Sequence, residues 1–218
     1  MDARKYLAEL VGTFILVVVG SMTIVAATAT SAPILVVVPF GFGLGLLAAI
    51  QSVGYVSGGH FNPAVTIGAL LDRRIDAMNA LGYIVAQVIG AIAASGVVLL
   101  VANQAAVLST ASGFPKDRGV QAFAVEVLLT AIFLLVILTV TKRAPNHAAF
   151  AIPLTLTVIH FAGIPFSGAS VNPARSLAPA LVGGSIDSSI IVWIAGPLVG
   201  AVIGWAVYRA LEGGDSTR

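Results

Sequence analysis

The chain has 218 residues, of which 58% are hydrophobic and only 9% charged, and its formal net charge is +2. A soluble domain carries roughly a quarter charged residues, so this is the composition of an integral membrane protein. The few, scattered cations exclude a nucleic-acid surface, and the absence of Cys excludes disulfides and thiolate metal sites.

Six apolar segments, near 6–28, 34–55, 79–102, 120–141, 147–164 and 189–210, are long enough to span, since a helical crossing needs about 20 residues. The first starts in "MDARKYLAELVGTF", and no signal-peptidase site follows it, so it is expected to stay as a membrane helix. The fifth is the shortest. Between segments two and three lies "NPAVTIGALL", and between five and six lies "NPARSLAPAL". A helix of about ten residues is ~15 Å long, half of a ~30 Å hydrocarbon core. Neither stretch can span alone and both are too apolar for water, so they are predicted to be re-entrant half-helices.

Arg4, Lys5, Arg73, Arg74, Lys142, Arg143, Arg209 and Arg218 fall on one side of this topology, and only Lys116 and Arg118 on the other. The positive-inside rule then predicts that both termini are cytoplasmic. Ala- and Val-rich helices joined by short loops point to a prokaryotic inner (plasma) membrane.

The chain also repeats itself. Ser57 and Ser167, Asn62 and Asn172, and Gly90 and Gly200 are each 110 residues apart, while Glu9 and Thr13 recur 117 residues later as Glu126 and Thr130. "AQVIGAIAA" at Ala86–Ala94 maps onto "GPLVGAVIG" at Gly196–Gly204, and such ridges of small residues let helix backbones approach closely in lipid. With three crossings per half, the copies must be inverted across the membrane. Inverted repeats with broken helices place their site at the midplane.

Each Asn-Pro pair reads as a helix start, with Asn as the cap and Pro at the first helical position. Here the caps fall where water is excluded and free backbone donors cost several kcal/mol each. Irregular backbone is tolerated there only if it is buried in protein or lines a wet cavity, and two symmetric copies favour the cavity.

With two NPA boxes at Asn62-Pro63-Ala64 and Asn172-Pro173-Ala174, six helices and paired Glu-x-x-x-Thr motifs, the chain resembles the aquaporin (major intrinsic protein) family over essentially its whole length. The resemblance implies an all-α membrane protein with six transmembrane helices and two re-entrant half-helices in an inverted repeat. It also implies a right-handed bundle with a pore in each subunit, usually a homotetramer. One channel domain over 1–218 is expected, with repeat 1 about 1–105 and repeat 2 about 118–212. Family positions for the selectivity ring fall on Phe42, His160, Ala169 and Arg175, a set similar to that of water-selective members. Ser176 and Ala180 also match the water type; Trp193-Ile194 departs from it, since an aromatic pair is more usual there.

Two helix N-termini facing each other concentrate positive charge at the pore centre, a device known for aquaporin-type pores. If each Asn oxygen caps its own helix, the NH2 group is free to donate into the lumen. A central water accepting from Asn62 and Asn172 must then donate outward on both sides, which disfavours proton hopping. Arg175 is the residue most at odds with a purely structural role, because an Arg inside the membrane is costly. Phe42 and His160 narrow the lumen, and His160 and Arg175 supply donors. Glu9 and Glu126 are expected to support the loops or half-helices from behind. His60 either lines the inner vestibule or bonds backbone.

The expected activity is passive water flow, with water as permeant, the lipid bilayer as surrounding, no nucleic-acid partner, no catalysis, no metal and no cofactor. A facilitator of glycerol, ammonia or hydrogen peroxide stays open, because Ala169 is small. A proton relay through Glu9, Glu126 and His160 also stays open, since intramembrane ionisable groups often mark such paths. A membrane-junction role is the remotest alternative.

Overall fold

A computed structural model describes residues 2–213, which are helical with short connections. Arg218 lies outside the described residues. Six helices are long and apolar enough to cross: α1 (Ala3–Thr30), α2 (Ile34–Ser57), α4 (Ala77–Val101), α6 (Lys116–Arg143), α7 (Pro145–Ser167) and α9 (Ile190–Gly213). Between them lie the half-helices α3 (Pro63–Leu71) and α8 (Pro173–Gly183), and a short α5 (Gln104–Ser109). The fifth crossing, α7, is the shortest at 23 residues.

Local chemistry sets the boundaries. Asp2 caps α1 by accepting from the Arg4 N–H at 3.1 Å, and Asp76 caps α4 by accepting from the Asn79 N–H at 2.9 Å. Pro145 opens α7, and Gly168 closes it in the left-handed region at φ +76°. Two features were not foreseen from the sequence. The second span ends in a π-helical turn at Ile50–Gly54, and α5 forms within what read as a plain connection.

The two halves are built alike. α1 packs on α2 and α4, α6 packs on α7 and α9, and α2 meets α7 across the middle. Small residues permit the tightest crossings: a Cβ at Gly90 would lie 2.3 Å from the Leu10 carbonyl oxygen, and one at Gly200 would lie 2.5 Å from that of Val127. Leu10 and Val127 are themselves 117 residues apart, like the Glu-x-x-x-Thr motifs.

Each half-helix crosses into the other half. α3 packs most extensively against α9, and α8 against α4. Arg74 fastens the far end of α3, donating to the Thr141 hydroxyl (2.6 Å), the Leu138 carbonyl (2.9 Å) and Asp72 (2.8 Å). At the far end of α8, Gln104 of α5 donates to the Gly183 carbonyl at 2.7 Å. Exposed Val199, Val202, Ile203, Val207 and Leu211 give α9 an apolar outer face suited to lipid.

Candidate functional site: a passage between two half-helices

Asn62 and Asn172 meet at the centre. The Asn62 side-chain oxygen accepts from the Ala64 N–H at 2.8 Å, and that of Asn172 accepts from Ala174 (3.1 Å) and Arg175 (3.4 Å). Each amide group then reaches across the pseudo-symmetry. Asn62 Nδ2 donates to the Val171 carbonyl at 2.7 Å, and Asn172 Nδ2 donates to the Phe61 carbonyl at 2.9 Å. Sequence reasoning left both amide hydrogens for the lumen; the structure commits one of each pair to the opposite loop and leaves the other. The reciprocal bonds also hold two strained residues, since Phe61 and Val171 have φ values of +49° and +46°.

Both loops are clamped from behind by a buried carboxylate. Glu9 accepts from the Ser57 hydroxyl (2.6 Å), the His60 N–H (2.9 Å), the Phe61 N–H (2.7 Å) and Gln87 Nε2 (2.7 Å). Glu126 accepts from the Ser167 hydroxyl (2.7 Å), the Ser170 N–H (2.8 Å) and the Val171 N–H (2.8 Å). The hydroxyls of Thr13 and Thr130, the other halves of those motifs, are buried without a hydrogen-bond partner. Tyr83 and Trp193, 110 residues apart, complete each clamp: the Tyr83 hydroxyl donates to the Ser57 carbonyl and Trp193 Nε1 to the Ser167 carbonyl, both at 2.8 Å. Sequence reading assigned no role to Gln87, Tyr83 or Trp193. The 110-residue shift pairs the two aromatic donors and is the signal that finds them.

A cavity of about 310 Å³ runs past these caps. Arg74 and Thr141 mark one end, Asn62, Asn172 and Val65 the middle, and Phe42, His160 and Arg175 the other end. At that end the Phe42 and His160 rings stack with centroids 4.9 Å apart, and Arg175 Cζ lies 4.9 Å from the Phe42 centroid. Gly20 leaves the space that the Phe42 ring fills, since a Cβ there would lie 2.3 Å from it. Three of the four predicted ring positions thus converge. Ala169, the fourth, is fully buried at φ +47° beside Gly163 and does not line this cavity.

His160 Nδ1 lies 2.9 Å from the Leu156 carbonyl oxygen, which only accepts. Nδ1 therefore carries an N–H, and in the neutral tautomer Nε2 is the acceptor. The donor at Nδ1 is spent on backbone, and Nε2 is buried without a protein partner. Arg175 donates through Nη1 to the Ser112 hydroxyl. His60 lines the cavity, sits 3.1 Å from the Thr66 hydroxyl through Nδ1 and meets the Tyr83 ring edge-on at 5.2 Å, so it bonds a side chain rather than backbone. Ser176 bonds two other serines, and Ala180 is buried in α8. Among the described residues no group of His, Asp or Glu is arranged to hold a metal ion.

Six apolar crossings, with two half-helices meeting cap to cap along a cavity, define a multi-pass membrane channel of the inverted-repeat type. The family model described as "Major intrinsic protein" matches residues 1–208, and the chain belongs to that family, whose members are channels and not enzymes. The chain is 42% identical to "Glycerol uptake facilitator protein-like 6" of Lactiplantibacillus plantarum over 97% of its own length and 100% of that protein. It is 40% identical to "Aquaporin Z" of Rhodopseudomonas palustris, covering 97% of this chain and 95% of the relative. With "Aquaporin Z" of Photorhabdus laumondii it shares 41% identity, over 95% and 97% of the two chains. The X-ray structure of the aquaglyceroporin from Plasmodium falciparum superimposes with a TM-score of 0.86 over 96% of both chains at 22% identity, a likeness of fold.

Proposed function

We propose that the chain is a passive, water-selective channel that excludes ions and protons. In this reading 1–218 is one channel unit, its halves about 1–105 and 118–212. It sits in a prokaryotic plasma membrane with both termini cytoplasmic, assembles as a homotetramer, and uses Phe42, His160 and Arg175 to select. The observation that carries the reading is the convergence of Phe42, His160 and Arg175 at one end of the cavity. Two rings and a guanidinium 4.9 Å apart bound the lumen with little room beside them. Water suits a constriction where Arg175 and His160 are the polar side chains beside the Phe42 ring. Glycerol, a three-carbon triol, needs more width and loses more hydrogen bonds than two polar groups replace.

At the caps, one free N–H from each Asn and two facing helix N-termini set up donors and a positive field. A water held there donates outward in both directions, which opposes proton hopping and cation entry. The relay alternative has little support, because Glu9 and Glu126 spend both oxygens on loop donors and do not line the cavity.

The relative named as a glycerol uptake facilitator favours a second reading, a broader solute facilitator. Stopped-flow light scattering on proteoliposomes, with water and glycerol gradients run in parallel, separates the two. Fast water flux with glycerol at the rate of protein-free vesicles is expected. Glycerol flux comparable to water flux overturns the water-selective reading.

A further inference from the structure

A second cavity, of about 440 Å³, lies where the far end of α3 meets the last turns of α9. Leu71, Asp72, Arg73, Trp205 and Arg209 line it, and it shares none of them with the passage. Its polar wall is only partly used. The Asp72 side chain is 8% exposed, and its Oδ2 accepts from Arg74 Nε at 2.8 Å. Oδ1 is buried with no hydrogen bond, and Arg209 Nη1 stands 3.8 Å from it, beyond bonding reach. Trp205 Nε1 is likewise buried and unbonded. Arg73 sits in the left-handed region at φ +59°, which favours glycine, and its guanidinium has no partner among the described residues.

One cavity thus holds a buried donor and a buried acceptor, both unpaired, and each is costly in that state. A ligand that settles both must accept at Trp205 and donate at Asp72. Two guanidiniums on the same wall require the accepting part to be an anion, and a phosphate suits them best. The surface beside the cavity says what the phosphate is attached to. Val202, Trp205 and Arg209 recur at three- and four-residue spacing and share one face of α9. Val199 and Val202 are 41% and 45% exposed, so this face runs from apolar surface to the indole and then to the guanidinium. That order matches a lipid, chains first and headgroup last, with Trp and Arg at the membrane boundary.

We propose that this cavity is a phospholipid headgroup site that selects a phosphodiester carrying a hydrogen-bond donor beside it, such as ethanolamine or glycerol, over choline. The phosphate takes Arg73, Arg209 and the Trp205 N–H, and the neighbouring ammonium or hydroxyl donates to Asp72 Oδ1. Choline brings the same phosphate, but its three methyl groups leave it no N–H to give Oδ1. The bound headgroup joins the end of α3 to α9, the helix on which α3 packs most extensively.

The test is native mass spectrometry of the full chain in detergent, titrated with four lipids that have identical acyl chains. Phosphatidylethanolamine and phosphatidylcholine are both zwitterionic, and only the first has a donor. Phosphatidylglycerol and phosphatidylmethanol are both anionic, and again only the first has a donor. Each donor-bearing lipid should bind about tenfold or more tighter than its charge-matched partner, the effect of one hydrogen bond to a charged group. Asp72→Asn should remove most of that preference. Trp205→Phe, which leaves Asp72 and its bond to Arg74 in place, should weaken all four lipids by roughly fivefold or more. Choline binding as well as ethanolamine overturns the proposal, and so does phosphatidylmethanol binding as well as phosphatidylglycerol, since charge alone is then being read. Unchanged affinities in Trp205→Phe also overturn it, because the lipids then bind elsewhere; this arm stands even if Asp72→Asn fails to fold.

Discussion

The two cap loops share a backbone design but differ in what completes it. In the first, Gln87 donates to both Glu9 (2.7 Å) and the Thr66 hydroxyl (2.9 Å), so the network closes on itself within the first half. The position 110 residues after Gln87 is Pro197, which has no side-chain donor. Ser176, the counterpart of Thr66, turns instead to Ser170 and Ser112. The second loop is therefore tied to a connection outside its own half, and Arg175 stands where the first loop has Val65. Duplication supplied the scaffold, and a few divergent side chains give the second copy a guanidinium and a serine link that the first lacks.

The strongest way to test the shared part is to remove each carboxylate. Glu9→Ala orphans the His60 and Phe61 N–H groups, and Glu126→Ala orphans those of Ser170 and Val171. At about 1–3 kcal/mol per buried unpaired donor, each variant should lose roughly 2–6 kcal/mol. Thermal unfolding in detergent should show a large fall for both. A severe loss for one and a mild loss for the other would break the equivalence of the two clamps.

The next effect separates the copies. Gly58 and Gly168 are counterparts and both are left-handed, at φ +91° and +76°. An L-residue costs about 1–2 kcal/mol in that region. A Cβ at Gly58 would meet only His60 Nε2, at 3.9 Å, whereas one at Gly168 would press on the Gly113 backbone at 3.0 Å. Gly58→Ala should therefore cost about 1–2 kcal/mol, and Gly168→Ala at least ~1 kcal/mol more. Equal unfolding midpoints for the two variants would show that the outer connection yields freely.

Much of this was legible in the sequence because it is periodic or duplicated. The six crossings are marked by long apolar runs, the half-helices by Asn-Pro, and the pairing of the boxes by the 110-residue shift. Phe42, His160 and Arg175 were found through family spacing and do converge. What escaped depends on contacts that only the folded, interlocked halves create. The crossed bonds from Asn62 to Val171 and from Asn172 to Phe61 span about the repeat length and leave no local trace. A serine in a loop, such as Ser112, has no periodic neighbours to announce it. The orientation of the His160 ring is fixed by a carbonyl four residues earlier, which composition does not reveal.

Gln87→Met probes the part that only the first loop has. It keeps side-chain length but removes the donor to Glu9 and Thr66. Glu9 retains its loop donors, and Thr66 still donates to the Asn62 carbonyl at 3.1 Å. The loss should be about 1.5–3 kcal/mol, the range for a hydrogen bond to a charged group, with permeability and glycerol exclusion unchanged. A change in selectivity from this variant would mean that the first loop also sets the ring, contrary to the division drawn between the copies.

The smallest effect comes from the pair that looks most alike. Tyr83→Phe removes one hydroxyl, the donor to the Ser57 carbonyl, and keeps the ring against His60 (5.2 Å) and Tyr6 (6.1 Å). A neutral hydrogen bond of this kind contributes about 0.5–1.5 kcal/mol, so the midpoint should fall only slightly. Trp193→Phe removes the matching bond to Ser167 but also part of a bicyclic ring packed against Phe114, and should cost more by the volume it leaves empty. The difference between the two losses isolates that packing, because the hydrogen bond is common to both. Since Phe114 follows Ser112 by two residues, that packing also holds the connection whose hydroxyl accepts from Arg175. Trp193→Phe should therefore slow water flux where Tyr83→Phe does not, and equal flux through both variants would separate the ring's packing from the pore.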